Sequence, residues 1–139
     1  MSEALVIQMA REIAERINCM VYGDKVLEAE LDLVPNFALS ELQQQRIVVV
    51  PAGIIHKNAS RVQCERTGKI DIGVTCRCKK EELPGLIAMV EWIAENLRGE
   101  KIASGLVTEL TFQPIYDPGY FKSNQVFLSI CTATVKAIR

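Results

Sequence analysis

Apolar and polar positions recur along this chain with two different periods, and the changes of period mark out its elements. Over residues 3–18, Leu5, Val6, Met9, Ala10, Ile13 and Ile17 fall on one broad face, with Glu12, Glu15 and Arg16 largely opposite and Arg11 near the border. This spacing predicts a helix, capped by Ser2 and carrying Glu3 in its first turn. Its polar face mixes both signs of charge, as in a helix laid on a sheet rather than on a membrane. After a Gly23-Asp24 turn the period shortens to two. Leu27, Ala29, Leu31 and Leu33 alternate with Glu28, Glu30 and Asp32, predicting a strand with an acidic outer face that ends at Pro35. Residues 38–44 fit a short helix. The following run, 46–50, is apolar on both faces and expected to be a central strand, interrupted by Pro51, Ala52 and Gly53.

A second alternation sets Ile70, Ile72, Val74, Cys76 and Cys78 against Lys69, Asp71, Gly73, Thr75, Arg77 and Lys79, and predicts a strand paired with 46–50. Between them, 54–68 is too polar and irregular for core and reads as an extended hairpin arm carrying Lys57, Arg61 and Arg66. Pro84 in a first turn and Gly99 at a stop delimit a second helix over 83–98. Leu83, Leu86, Ile87, Val90, Ile93, Ala94 and Leu97 face inward, and Trp92 falls off that stripe. Residues 100–109 read as a connection, and 110–116 and 126–138 as strands around the turn-rich segment 117–124. The order α-β-β-β-α-β-β predicts an α+β fold, a mostly antiparallel sheet with two helices packed on it and a long hairpin-like arm. At 139 residues, without an internal repeat, one domain over 1–139 is expected.

Composition narrows the function classes. A hydrophobic share of 49% with 24% charged residues is that of a chain able to build a core. Sixteen basic and 17 acidic side chains are interspersed, giving a net charge of -1 and none of the one-signed blocks of a nucleic-acid or membrane-surface binder. No apolar run approaches the roughly 20 residues of a membrane span, and the first residues lack a signal-peptide pattern. The five cysteines are odd in number and contain no CxxC pair, so free thiols in a reducing cytoplasm are expected.

The candidates for chemistry have plain alternatives. His56 is the only histidine and has no Ser or Cys beside it in sequence, so it reads as a polar loop residue. Cys76 and Cys78 share a strand face within reach of one metal, yet lack the paired ligands of a zinc site and read as small buried hydrophobes. Glu28, Glu30 and Asp32 imitate a carboxylate site but read as a solvated face. No GxGxxG or GxxxxGK spacing offers a phosphate loop. Catalytic, cofactor-binding and metal residues are therefore all assigned as none, and the chain is not expected to be an enzyme. The interface candidates are Lys57, Arg61 and Arg66 on the arm, with Trp92, Tyr116, Tyr120 and Phe121, aromatics being enriched at interface hot spots. For each, solubilising the arm or covering the core edge is the competing reading.

The element order, the segment Pro114-Ile115-Tyr116-Asp117-Pro118-Gly119-Tyr120 and the string NQVFLSICTATV at 124–135 resemble the small tail-terminator or tail-completion proteins of long-tailed bacteriophages. The strings IVVVP at 47–51 and IDIGV at 70–74 add to the likeness, which spans most of the chain. The resemblance implies a hexameric ring of identical subunits that caps the tail tube and joins it to the head connector. It implies tail tube and connector proteins as partners, DNA passing through the lumen without being read, and no cofactor. It also implies a location in the virion neck after assembly in the host cytoplasm. Two other readings stay open: a head-completion or connector adaptor of the same neck, and a small enzyme or ligand-binding α+β domain using His56, the carboxylates or the cysteines. A regulatory or toxin-antitoxin module would need a basic recognition element that the sequence lacks.

Overall fold

A computed structural model describes residues 4–33, 45–58, 64–112 and 114–138. Helix α1 (Leu5–Asn18) buries Met9, Ala10, Ile13, Ala14 and Ile17, the face that its spacing predicts. It starts after Ala4, and the proposed cap Ser2 lies outside the described residues. A tight hairpin follows, β1 (Val21–Tyr22) and β2 (Lys25–Val26), turned at Gly23 with φ 63°.

The strand expected over 27–33 is only β3 (Ala29–Leu31). It pairs in parallel with β4 (Arg46–Asn58), Ala29 opposite Ile47 and Leu31 opposite Val49. Local bonds shorten it: the Leu27 N–H donates to the Met20 carbonyl, and Asn18 clamps Ala29, accepting from its N–H at 2.6 Å and donating to its carbonyl at 3.1 Å. The helix expected over 38–44 lies outside the described residues.

Pro51 and Gly53 do not end β4. The ladder with β5 (Cys64–Arg77) shifts register between them, a bulge that absorbs the irregularity. The expected arm is the continuation of this ladder to Asn58 opposite Cys64. It is supported on one side, because β8 (Val126–Ile138) follows β5 as far as Glu65 opposite Ile138.

A 3₁₀ turn (Lys80–Glu82), in which the Lys79 N–H donates to the Glu82 carboxylate at 2.9 Å, leads into α2 (Leu83–Leu97). Pro84 sits in its first turn, where no N–H is needed. Gly99, at φ 80°, makes the left-handed exit and donates to the Val107 carbonyl. Residues 100–109, expected as a connection, instead form the hairpin of β6 (Lys101–Ile102) and β7 (Gly105–Phe112). The turn-rich segment is also regular: Asp117 accepts the Tyr120 N–H at 2.9 Å and caps α3 (Pro118–Asn124).

The sheet order is β3-β4-β5-β8-β7-β6, and every pair is antiparallel except β3 with β4. The fold is α+β as expected, with a mixed six-stranded sheet that is mostly antiparallel, and with three helices among the described residues where two were expected. On the helix side, Ile47, Val49, Ile70, Ile72, Val74, Phe127, Cys131, Ala133 and Val135 meet the buried faces of α1 and α2 in one core. Helix α1 covers β4 and β5 and also touches β3 and β6, so the sheet curls around it. Its polar flank holds both sheet edges. Asn18 binds β3, while Glu12 accepts from the Ser104 N–H at 2.9 Å and from its hydroxyl at 2.5 Å, and Arg16 donates to the Lys101 carbonyl at 3.2 Å.

Candidate assembly surfaces

Side chains on a strand alternate between faces, so the ladder registers decide what the side away from the helices displays. On β4 the bulge resets the alternation, and Ile55 points to that side, opposite Thr67. Thr67 lies opposite Lys136, and Lys136 opposite Leu106, so one row crosses four strands as Ile55, Thr67, Lys136 and Leu106. Farther along β8 the same face carries Ile130, Thr132 and Thr134. Ile55, Leu106 and Ile130 are 57%, 44% and 47% exposed, high values for large aliphatics.

Polar bonds lie between them. The Lys69 ammonium donates to the Thr134 hydroxyl at 2.9 Å, the Thr132 hydroxyl to the Asp71 carboxylate at 2.8 Å, and Lys136 pairs with Glu65 at 3.4 Å. An open depression of about 400 Å³ runs between Lys69, Glu109, Thr111, Ile130, Thr132 and Thr134. Ile55 and Leu106 stand at the two ends of a row whose middle is Thr67 and Lys136, and Ile130 lies six residues along β8 from Lys136, so this face mixes exposed aliphatic and hydrogen-bonded polar side chains without one contiguous apolar patch.

The residues expected at an interface fall into separate places. Lys57 is exposed on β4, opposite Glu65. Arg66 is half-buried on the helix side of β5, opposite His56 and Ala137, with one guanidinium nitrogen enclosed and without a hydrogen bond. Arg61 lies outside the described residues. Trp92 is half-buried and tilts against Tyr22, ring centroids 5.2 Å apart at 60°. Tyr116 stacks on Phe127 at 5.8 Å, and Phe121 also packs against the core, while Tyr120 is half-buried on α3. The Asp117 N–H bonds to the Leu128 carbonyl, nine residues along β8 from the partner of Arg66, so arm and aromatic cluster are about 30 Å apart. They do not form one patch.

Of the chemical candidates, Glu28 and Cys76 line one open depression of about 470 Å³ with Lys25, Arg77 and Glu82, and His56 stands apart from them. His56 is exposed and registers with Arg66, ten residues along β5 from Cys76 and thus about 33 Å away. Burial pushes the Cys76 thiol up, against the opposing charge of Lys25, and pushes Cys78 up with Cys76 adding to it. Cys131 is pushed up to about 12, chiefly by burial. These thiols are protonated at neutral pH and poor nucleophiles. Glu30 is engaged by Arg46 at 2.6 Å. Among the described residues no three His, Cys, Asp or Glu side chains group as metal ligands, and no helix is long and apolar enough to cross a membrane.

Sequence reasoning missed Ile55, Leu106 and Ile130. A signal existed for two of them: Ile54 and Ile55 are adjacent in a strand, so one must face outward, and Ile130 breaks the apolar alternation of Cys131, Ala133 and Val135. Compared with known proteins, the chain matches no family model and no curated protein sequence.

Proposed function

We propose that this chain is a tail-terminator or tail-completion subunit of a long-tailed bacteriophage, acting by assembly rather than catalysis. In this reading identical copies close into a ring, six in number, that caps the tail tube and joins it to the head connector. DNA passes through the lumen without sequence readout. The observation that carries the reading is the sheet face away from α1 and α2, where Ile55, Leu106 and Ile130 stand exposed on three strands among hydrogen-bonded polar side chains. A surface of that kind gains from being covered, and a head-to-tail contact between copies closes into a ring when the rotation permits. The separation of His56 from Cys76 by about 33 Å, with the thiols held protonated by burial, favours assembly over a small enzyme that would use them together, because a site needs its groups within bonding reach.

Electron microscopy of virions produced without the protein tests this. Overlong or unjoined tails are expected. Heads that leak DNA beside normal tails would move the protein to the head-side adaptor, and intact virions would overturn both positions.

A further inference from the structure

Beyond the two residues of β6, strand β7 has no neighbouring strand on its outer side among the described residues. Strand β6 pairs only at Lys101 with Leu106 and Ile102 with Gly105. Val107 then donates its N–H to the Glu100 carbonyl and accepts from the Gly99 N–H. These bonds point away from β8, and an antiparallel ladder alternates. Past the irregularity between Val107 and Glu109, the residues whose backbone faces away from β8 are therefore Leu110 and Phe112. Among the described residues no strand lies beyond them, so their N–H and C=O groups form an open edge.

Beside this edge a groove of about 200 Å³ separates β7 from α2. Ala94, Leu110 and Phe112 floor it, half-buried, and Glu91, Glu95 and Arg98 form its exposed rim. Behind the floor, a slot sharing Ala94 and Phe112 encloses the Ser129 hydroxyl, which has no hydrogen-bond partner. Glu91 and Glu95 stand four residues apart on one helix face, where like charges repel. Among the described residues neither has an ionic partner.

We infer that this edge and groove bind an extended segment of a partner polypeptide by strand addition, and that the segment carries lysine or arginine at alternate positions. The added strand supplies the backbone partners that Leu110 and Phe112 lack. Its groove-side residues recur every ~6.8 Å, close to the ~6 Å axial spacing of Glu91 and Glu95. A Lys or Arg stem covers the apolar floor while its charged head reaches a glutamate, a fit that a purely aliphatic residue cannot offer. The inference does not depend on ring closure.

Fluorescence anisotropy of the full chain with the labelled peptide Thr-Val-Lys-Val-Lys-Val-Thr tests it. Saturable binding is expected, weakened at least about tenfold by the double substitution Glu91→Lys with Glu95→Lys. The charge-reversed peptide Thr-Val-Glu-Val-Glu-Val-Thr should bind that double variant and not the parent. Of two peptides N-methylated at alternate amides, in opposite phase, one should lose binding, since methylation keeps the charge but removes the ladder. Absence of binding, equal affinity for parent and double variant, or survival of binding in both methylated peptides would overturn the proposal. So would a double variant whose self-association without peptide differs in sedimentation, because a second copy would then be the occupant.

Discussion

Helices α1 and α2 lie on the same face of one sheet, yet they are held differently. Helix α1 buries five residues almost completely and uses Glu12, Arg16 and Asn18 to tie down strands at both sheet edges. Helix α2 also buries five, but it leaves a slot of about 10 Å³ against Ser129, which shares Ala94 and Phe112 with the groove beside β7. The difference teaches where the molecule is finished. The α1 flank is bonded to strands at both sheet edges, whereas the α2 flank leaves, among the described residues, an open strand edge and a groove.

The largest effect that would break this contrast is in the core. Ile13→Ala on α1 should cost near the upper end of about 2–5 kcal/mol and Ile93→Ala on α2 near the lower end, since Ile93 already lines the slot. Urea unfolding would measure both, and equal costs would erase the distinction. Next, Gly105→Ala puts a Cβ 2.6 Å from the Lys136 carbonyl oxygen, a backbone atom that cannot swing aside, and should cost about 2–3 kcal/mol. Gly68→Ala meets the flexible Met9 side chain instead and should cost about 1 kcal/mol. Asn18→Ala removes both bonds to Ala29 and should cost about 1–2 kcal/mol, with faster amide exchange confined to β3.

On the α2 side, the Cys131 thiol lies beneath the helix and is raised from its ordinary 9.0 to about 12. Below pH 9 both folded and unfolded chains keep the proton, and stability does not depend on this group. Between about 9 and about 12 the unfolded chain has lost it while the fold retains it, so stability falls by up to about 1.4 kcal/mol per pH unit. Unfolding in reducing buffer should show this alkaline slope in the parent and a shallower one in Cys131→Ala. The smallest effect is expected of Ser129→Ala. Removing a buried hydroxyl without a partner should leave stability unchanged or raise it by up to about 1 kcal/mol, and a clear loss would mean that the slot is better satisfied than it looks.

The best-packed parts were also the most legible. Helix α1, helix α2 with its Pro84 and Gly99 boundaries, and the pairing of 46–50 with the alternation ending at Cys78 follow from periodicity and punctuation alone. The acidic alternation over 27–33 misled because period two reports which face is buried, not how many residues find a neighbour; Asn18 fixes that limit from eleven residues away. Pro51 looked like a stop because a bulge cannot be seen without its partner strand. Residues 101–109 read as a connection because Lys101, Ser104, Gly105, Thr108 and Glu109 interrupt their apolar positions, and the strand expected over 110–116 is the end of β7, which stops at Phe112. For α3 the signal was present and unread: Asp117 before Pro118 is a helix start. That Ile55 and Leu106 share one sheet face was illegible for a deeper reason, since the row that joins them through Thr67 and Lys136 exists only in the register of four strands.

Ring formation by this surface is the central claim, and the mass of the purified protein tests it most directly. Sedimentation would be followed across a concentration series, alone and with isolated tail tubes, and any assembly imaged. The account predicts a closed ring of one size seated on tube ends. A monomer at every concentration, indifferent to tubes, would contradict it.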